Sequence, residues 1–137
     1  MKISTKSQYG LRAMVYLAKF PQKICSLRSI SKDEGISFDY LEKIISKLKK
    51  AGLIKAKRGV QGGYFLNKSP AEIKIREIIK ALEGTTGLVK CMAAEKYHCP
   101  REKKCLTKIF WKKIQVSLNS IFDSSTLADL IKGSKAT

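Results

Sequence analysis

The sequence predicts a mainly α-helical fold: a winged helix-turn-helix with a small β-hairpin wing, followed by a long C-terminal dimerisation helix. Two amphipathic segments separated by a short glycine-containing turn indicate the helix-turn-helix. An alternating apolar and basic stretch that passes through three glycines follows them and indicates the hairpin. Near the C-terminus, an apolar stripe at helical spacing indicates the long helix.

The first three helices are predicted from apolar spacing and from the residues at their ends. Apolar residues recur at helical spacing over residues 4–20, and a proline follows. The second helix is expected to begin after the N-cap Ser26 and to end at Gly35, and the third to run from the N-cap Ser37 to Gly52. Five apolar residues are predicted on the inner face of the third helix: Phe38, Leu41, Ile44, Ile45 and Leu48.

The hairpin is expected over residues 53–66, with its glycines in a basic tip, and a fourth helix over residues 75–82. The long helix is predicted over residues 105–122, and a short last helix over residues 126–131 is expected to pack beside it. The final residues should be loose.

The long helix carries an apolar stripe that the small N-terminal domain does not need for its own core. The stripe consists of Leu106, Phe110, Ile114, Leu118 and Ile121, widened by Ile109, Trp111 and Phe122. It could fold back onto its own domain or pair with a second copy. We expect pairing in a homodimer, because helices 1 to 3 can fill the domain core without it.

The charge of the chain predicts a polyanionic partner. There are 28 basic and 11 acidic residues, a formal net charge of +17 and a pI near 9.9. DNA, RNA and an acidic membrane all fit this charge. The start of the chain is too amphipathic for a signal peptide, and no apolar run approaches about 18 residues. We therefore expect a cytoplasmic protein without a membrane segment.

Double-stranded DNA is the partner that the third helix and the hairpin favour. Lysines alone on an amphipathic helix often form only a solvated face, but here Glu42 is the only acidic residue between residues 42 and 58. Basic residues suit phosphates, and polar residues at a helix start can reach base edges. The predicted DNA-binding residues are Ser37, Asp39, Tyr40, Lys43, Lys47, Lys50, Lys57, Arg58 and Gln61. A two-fold dimer further predicts a palindromic operator.

One charged stretch contains three of the four cysteines and the only histidine of the chain. The candidate metal ligands are Cys91, Cys99 and Cys105, separated by seven and then five residues. This spacing matches no common tetrahedral zinc pattern, and three thiolates are one short of an all-cysteine cluster site. Such a site is either open or completed by another residue, for which His98 is a weak candidate.

Basic residues surround these cysteines and favour their thiolate forms, which helps metal binding and oxidation alike. These neighbours are Lys96, Arg101, Lys103 and Lys104. A disulfide framework is disfavoured in a reducing compartment. Cys25 stands alone and is predicted to be a packing residue.

Three segments resemble a known family of winged-helix repressors, typified by the iron-sulfur cluster regulator and the nitric-oxide-sensing repressor. They are MKISTKSQYGLRAMVYLA at the start, GISFDYLEKIISKLKKAGLIKAKRGVQGGYFL in the middle, and the cysteine loop running into CLTKIFW. The resemblance implies a dimeric DNA-binding transcription regulator, a repressor, whose operator affinity is controlled by a 2Fe-2S or 4Fe-4S cluster. By position, the three cysteines of the loop would be its ligands.

The sequence departs from both branches at the fourth cluster ligand. Lys108 stands where the cluster-regulator branch has a histidine, and Gln8 where the nitric-oxide branch has an acidic residue. An alternative within the same class is a metal-free regulator that senses redox state through its thiols. An alternative from another class is an iron-sulfur electron carrier, which would not need the basic residues of the third helix and the hairpin. We do not expect an enzyme, because there is one histidine and no recognisable catalytic frame.

The chain therefore divides into four expected parts. Residues 1–84 form the winged helix-turn-helix DNA-binding domain and residues 85–104 the cysteine-containing sensing loop. Residues 105–132 form the dimerisation helix with the short terminal helix, and residues 133–137 a loose tail.

Overall fold

A computed structural model describes residues 1–94 and 96–135. These residues form seven α-helices, one antiparallel hairpin and a 3-10 turn at Pro70–Glu72. The elements are α1 (Thr5–Lys19), α2 (Leu27–Glu34), α3 (Phe38–Lys50), β1 (Ile54–Lys57), β2 (Gly63–Leu66), α4 (Ile75–Glu83), α5 (Lys90–Ala93), α6 (Lys108–Ser124) and α7 (Leu127–Lys135). The predicted fold class, mainly helical with a two-stranded wing, is confirmed.

The predicted helix ends are confirmed where a local residue decides them. The side chains of Ser26 and Ser37 accept hydrogen bonds from the backbone N–H groups of Ser29 and Tyr40, as N-caps do. Gly35 ends α2 with a φ of 65°, a left-handed conformation that favours glycine.

The core lies between α1, α3 and α4, and α2, the hairpin and α7 close it. Twelve large side chains are fully buried: Met14, Leu17, Ile30, Leu41, Ile44, Ile45, Leu48, Ile54, Ile73, Ile78, Leu82 and Leu127. Each contributes about 1.5–3 kcal/mol by leaving water. A Cβ at Gly10 of α1 would overlap the side chain of Leu82 in α4, so glycine is what allows these two helices to approach closely. The core therefore extends beyond the first three helices.

The hairpin is anchored to the body of the domain at its second strand. Ile54 lies opposite Leu66, and Lys57 opposite Gly63. The N–H of Cys25 donates to the carbonyl of Tyr64 at 2.9 Å, and the N–H of Tyr64 donates back at 2.8 Å. The segment before α2 thus extends the hairpin by one bridge.

Two packing predictions were wrong. Phe38, the first residue of α3, is 44% exposed and lies outside the core cluster, while Ile36, two residues earlier, is buried in it. The last helix packs mainly against α1 and the 3-10 turn rather than beside α6. Leu127 determines this position, since its side chain is fully buried and its N–H donates to the carbonyl of Ile73 at 2.9 Å.

The last helix is also longer than predicted, because α7 continues to Lys135, within the stretch expected to be a loose tail. Residues 136 and 137 of that tail lie outside the described residues. In the part of the chain that the structure describes, no helix is long and apolar enough to cross a bilayer.

Candidate DNA interface and cysteine site

The start of α3 is fixed by its cap. The hydroxyl of Ser37 accepts from the N–H of Tyr40 at 3.4 Å, so the serine is already engaged by the helix. Tyr40 is half-buried, and its ring meets that of Tyr9 edge-on at 5.7 Å between centroids. Asp39, which lies between Ser37 and Tyr40 in the sequence, is exposed. The structure therefore gives Tyr40 a packing contact in addition to the DNA contact predicted for it.

The three predicted lysines of α3 are exposed but differ in their surroundings. Lys43 and Lys50 lie on the outer side of the helix, opposite the buried leucines and isoleucines. Lys47 lies nearer α4, where its Nζ donates to the carbonyl of Leu82 at 3.4 Å. Arg28 of α2 is an exposed cation in the same helix-turn-helix that the sequence analysis did not single out.

The tip of the wing exposes the remaining predicted residues. Lys57, Arg58 and Gln61 are all exposed, and the neighbouring Val60 makes no contact that covers it. Because β1 follows α3 after a short turn and packs on it, the wing is joined directly to the third helix. Its tip, at Gln61 and Gly62, lines a cavity together with Phe20 and Ser26, between α1 and α2.

The three cysteines of the cysteine segment, Cys91, Cys99 and Cys105, all line one small cavity. This cavity has a volume of about 50 Å³ and is lined by Cys91, Tyr97, Cys99, Glu102, Cys105 and Lys108. Such a space holds no more than a few waters. Among the described residues, no three histidine, cysteine, aspartate or glutamate side chains are already gathered to hold a metal ion. The three cysteines line one cavity without being gathered, so the loop must rearrange to take up a group as large as a cluster.

The donor set nevertheless suits an iron-sulfur cluster, because soft thiolates are its usual ligands. Cys105 lies just before α6, and its Sγ is 3.3 Å from the hydroxyl oxygen of Thr107. This hydrogen bond, together with the backbone N–H groups of Thr107 and Lys108, lowers the pKa of the Cys105 thiol. The start of α6 therefore favours a thiolate at this position.

An ion pair completes the wall of the cavity. The Nζ of Lys108 donates to Oε1 of Glu102 at 2.9 Å. This hydrogen bond lowers the pKa of Glu102 and raises that of Lys108. Lys108 thus stays an ammonium, which has no lone pair to offer a metal. Glu102 was not predicted from the sequence, where its only signal is its place midway between Cys99 and Cys105.

His98 and Cys25 lie elsewhere. His98 is exposed and lines a larger cavity of about 550 Å³, which Cys91 also lines, and not the small cavity lined by all three cysteines. Cys25 is 7% exposed beside the wing, and burial raises the pKa of its thiol. This placement suits the packing role predicted for Cys25.

One buried polar side chain fastens the cysteine segment to α6. Gln115 of α6 is 8% exposed; its carbonyl oxygen accepts from the N–H of Leu88 at 2.7 Å. Its amide donates to the carbonyl of Thr86 at 2.9 Å and to Oδ1 of Asn119 at 3.0 Å. The turn that leads from α4 to the cysteines therefore moves with α6.

The outer face of α6 is apolar and uncovered in the single chain. Phe110 is 58% exposed and Ile121 61%, while Ile114 and Leu118 are half-buried. Leu106, which was predicted to lie in this helix, is 92% exposed but precedes it, because α6 begins at Lys108 and not at residue 105. Exposed apolar patches of this kind commonly mark an interface between proteins.

Comparisons with known proteins place the chain in a family of regulators. The family model described as "Rrf2: Iron-dependent Transcriptional regulator" matches residues 3–133. The transcriptional regulator CymR of Bacillus subtilis is 39% identical over 131 residues, covering 95% of this chain and 89% of the relative. The transcriptional regulator IscR of Aliivibrio salmonicida is 36% identical over 132 residues, which cover 96% of this chain and 77% of that relative.

Solved structures agree with these relatives. The structure of B. subtilis CymR, described as the global cysteine regulator, superposes with a TM-score of 0.78 at 38% identity, covering 96% of this chain and 97% of that chain. T. potens IscR superposes with a TM-score of 0.77 at 38% identity, and the match covers 98% of this chain and 88% of that chain. The resemblance drawn from the sequence motifs is confirmed, and so is the expectation of a regulator rather than an enzyme. The chain belongs to the Rrf2 family of helix-turn-helix transcriptional regulators.

Proposed function

We propose that this regulator is a cytoplasmic homodimer that represses transcription from a palindromic operator, and that an iron-sulfur cluster held by Cys91, Cys99 and Cys105 controls its affinity for DNA. The observation that supports the cluster is that Cys91, Cys99 and Cys105 all line one cavity just before α6. Cytoplasmic location follows from the proposal, since a repressor must share a compartment with its operator.

The coupling from cysteines to DNA follows the chain's own contacts. A bound cluster supplies a centre that reacts with oxidants or nitric oxide. Closing the three thiols around one group draws α5 and the loop before α6 together. Gln115 transmits this change to the turn after α4 through its bonds to Leu88 and Thr86. Because α4 packs on both α1 and α3, the orientation of the recognition helix changes with it.

A metal-free thiol sensor is the second candidate. The lowered pKa of Cys105 favours the thiolate, the form that oxidants attack. A relative from Staphylococcus aureus, CymR, 36% identical with a TM-score of 0.73, has been solved in an oxidized form. Both candidates use the same DNA-binding surface and differ in what the cysteines hold.

Iron and sulfide analysis of the anaerobically purified protein separates the two. The cluster proposal expects a coloured protein whose iron is lost in Cys99→Ala and kept in Cys25→Ala, the control at the remote cysteine. A colourless, iron-free wild type that still releases DNA on adding peroxide would support the thiol sensor instead.

The proposed DNA surface comprises Ser37, Asp39, Tyr40, Lys43, Lys47, Lys50, Lys57, Arg58 and Gln61. Arg58→Ala should weaken binding to the operator, because the wing tip is proposed to enter the minor groove. Lys47→Ala should weaken binding to all duplexes and reduce the slope of log affinity against log salt by about one unit.

Lys132→Ala is the matched control, since it removes one exposed charge from α7, which contributes no residue to the proposed DNA surface. Operator fragments should be isolated by selection from random duplexes and affinities measured by fluorescence anisotropy. Wild-type affinity in both the Arg58 and the Lys47 variants would contradict the proposed surface.

A further inference from the structure

We propose that the large cavity between α4 and α6 binds a small organic dicarboxylate. Its volume of about 550 Å³ is within the usual range, about 300–1,000 Å³, of pockets that hold small molecules. Most of its lining comes from three parts of the chain: α4 with the turn that follows it, residues 91–94 with 97–98, and the inner side of α6. The inference goes beyond the proposed function, because it requires neither the cluster nor DNA.

The wall formed by α4 carries two cations. Arg76 and Lys80 are four residues apart, so their side chains lie on one face of the helix, one turn apart. Nη1 of Arg76 donates to Oδ2 of Asp123 at 2.8 Å, which leaves other guanidinium N–H groups for a ligand. Among the described residues, no carboxylate lies within ion-pair distance of the Lys80 ammonium. Glu102 also lines the cavity, but its charge is paired with Lys108. The α4 wall therefore has cationic donors available for a carboxylate.

Other parts of the lining carry neutral hydrogen-bond donors. Tyr97 and His98 are exposed and line the same cavity, and a phenol hydroxyl and an imidazole ring each offer a donor. Asn119 of α6 accepts from Gln115 through Oδ1 at 3.0 Å. In the part of the chain that the structure describes, no hydrogen bond uses the two N–H donors of the Asn119 amide. These groups suit a second carboxylate.

Hydrogen bonds within the protein hold the turn between the two helices in place. Gln115 is 8% exposed, accepts from the N–H of Leu88 at 2.7 Å and donates to the carbonyl of Thr86 at 2.9 Å. A Cβ at Gly87 would come within 2.5 Å of the backbone N of Ala93, so glycine lets this turn pack directly on α5. A pocket formed in this way before binding needs little ordering when the ligand enters.

Size and charge together define the class of ligand. An inorganic phosphate or a single carboxylate is too small to contact both the cations of α4 and the neutral donors. A dicarboxylate places one carboxylate at Arg76 and Lys80 and the other at the donors of Tyr97 and its neighbours, where each forms hydrogen bonds that its charge strengthens. The carbon chain between the carboxylates suits Met92 and Ala93, which also line the cavity.

The test measures binding of glutarate to the full-length protein by isothermal titration calorimetry at constant ionic strength. Pentanediamide, the neutral analogue of the same size, and inorganic phosphate are the comparison ligands. Lys80→Gln removes the unpaired cation, and Tyr97→Phe removes one neutral donor. Lys112→Gln is the matched control, because it removes an exposed charge of α6 that does not line the cavity.

We expect glutarate to bind at one site per chain. Lys80→Gln should raise its dissociation constant about tenfold or more, because charge-assisted hydrogen bonds are lost, and Tyr97→Phe about fivefold. Lys112→Gln should stay within about twofold of the wild type. Pentanediamide and phosphate should each bind about tenfold more weakly than glutarate or worse. Amide hydrogen exchange over residues 84–94 should slow in the complex, which locates the site.

Three results overturn the inference. The first is the absence of glutarate binding. The second is equal weakening by Lys80→Gln and Lys112→Gln, which assigns binding to the overall positive charge of the chain. The third is phosphate that binds as tightly as glutarate, which shows that the ligand does not reach both sets of donors. Far-UV circular dichroism checks that each variant remains folded. Iron content and operator affinity are measured separately, so failure here is distinguishable from failure of the proposed function.

Discussion

The carboxylate of Glu83, at the end of α4, forms hydrogen bonds with the N-terminal turn of α1. Both Ser4 and Ser7 donate their hydroxyls to Oε1 of Glu83, the latter at 2.6 Å. Ser4 is also the N-cap of α1, since its Oγ accepts from the N–H of Ser7 at 3.2 Å. The two hydroxyl hydrogen bonds, that of Ser4 first, lower the pKa of Glu83 below its ordinary value of 4.5. Ionised Glu83 thus stabilises the contact between α1 and α4.

Glu83→Gln should lower the free energy of unfolding by about 1 kcal/mol at pH 7, because the charged acceptor of two hydrogen bonds is lost. A depressed folded pKa contributes stability above the unfolded pKa, and that stability is lost as pH falls through the folded value. The difference between wild type and variant should therefore be constant near neutral pH and shrink as pH falls below 4.5.

Urea unfolding at a series of pH values measures this difference. Glu72→Gln, at an exposed position in the 3-10 turn, is the control and should change stability little at any pH. A Glu83→Gln variant that tracks the wild type across the whole pH range would refute the role assigned to the carboxylate.

At the scale of the elements, the position of the wing depends on one glycine. A Cβ at Gly63 would collide with the backbone carbonyl of Cys25 and approach the N of Ser26 to 2.9 Å. Glycine therefore permits the close bridge between Cys25 and Tyr64 that joins β2 to the segment before α2. Through this bridge, the wing and the helix-turn-helix hold a constant relative position.

Gly63→Val should detach the wing and weaken operator binding by about tenfold or more, while the helical core stays folded. Gly133→Val is the control, since a Cβ at this glycine of α7 meets nothing within 4 Å. Anisotropy with operator DNA measures affinity, and far-UV circular dichroism measures helix content. Unchanged affinity in Gly63→Val would show that the bridge does not position the wing.

The elements that were predicted correctly are those whose ends depend on local chemistry. Ser26, Ser37 and Gly35 act through hydrogen bonds and backbone angles within their own turns, so the sequence around them is sufficient. Phe38 was misplaced because a helix-periodic apolar residue is buried only if a neighbouring element covers it. The ion pair between Glu102 and Lys108 was not predicted for a related reason, since it joins residues six apart and depends on how the loop before α6 folds.

At the scale of the whole molecule, the proposed sensing loop and the proposed dimer face lie on the same helix, α6. Cys105 precedes α6, Gln115 anchors the loop to its inner side, and Ile121 lies on its exposed side. A change at the cysteines can therefore reach both the partner copy and the turn after α4. For the recognition helices of two copies to bind one palindromic operator, α6 must pair with α6 of the second copy.

Ile121→Asp should convert the dimer to a monomer, because the two-fold axis places the new charge in the apolar interface twice. The dimer dissociation constant should rise by about 100-fold or more, and affinity for a palindromic operator should fall with it. Ser120→Asp is the matched control, since it introduces the same charge at the adjacent, exposed position on the polar side of α6. Sedimentation velocity measures the oligomeric state, and circular dichroism checks that both variants keep their helices. If Ile121→Asp sediments as a dimer, or if Ser120→Asp dissociates equally, the exposed stripe of α6 is not the interface, and half-site spacing must be set by another surface.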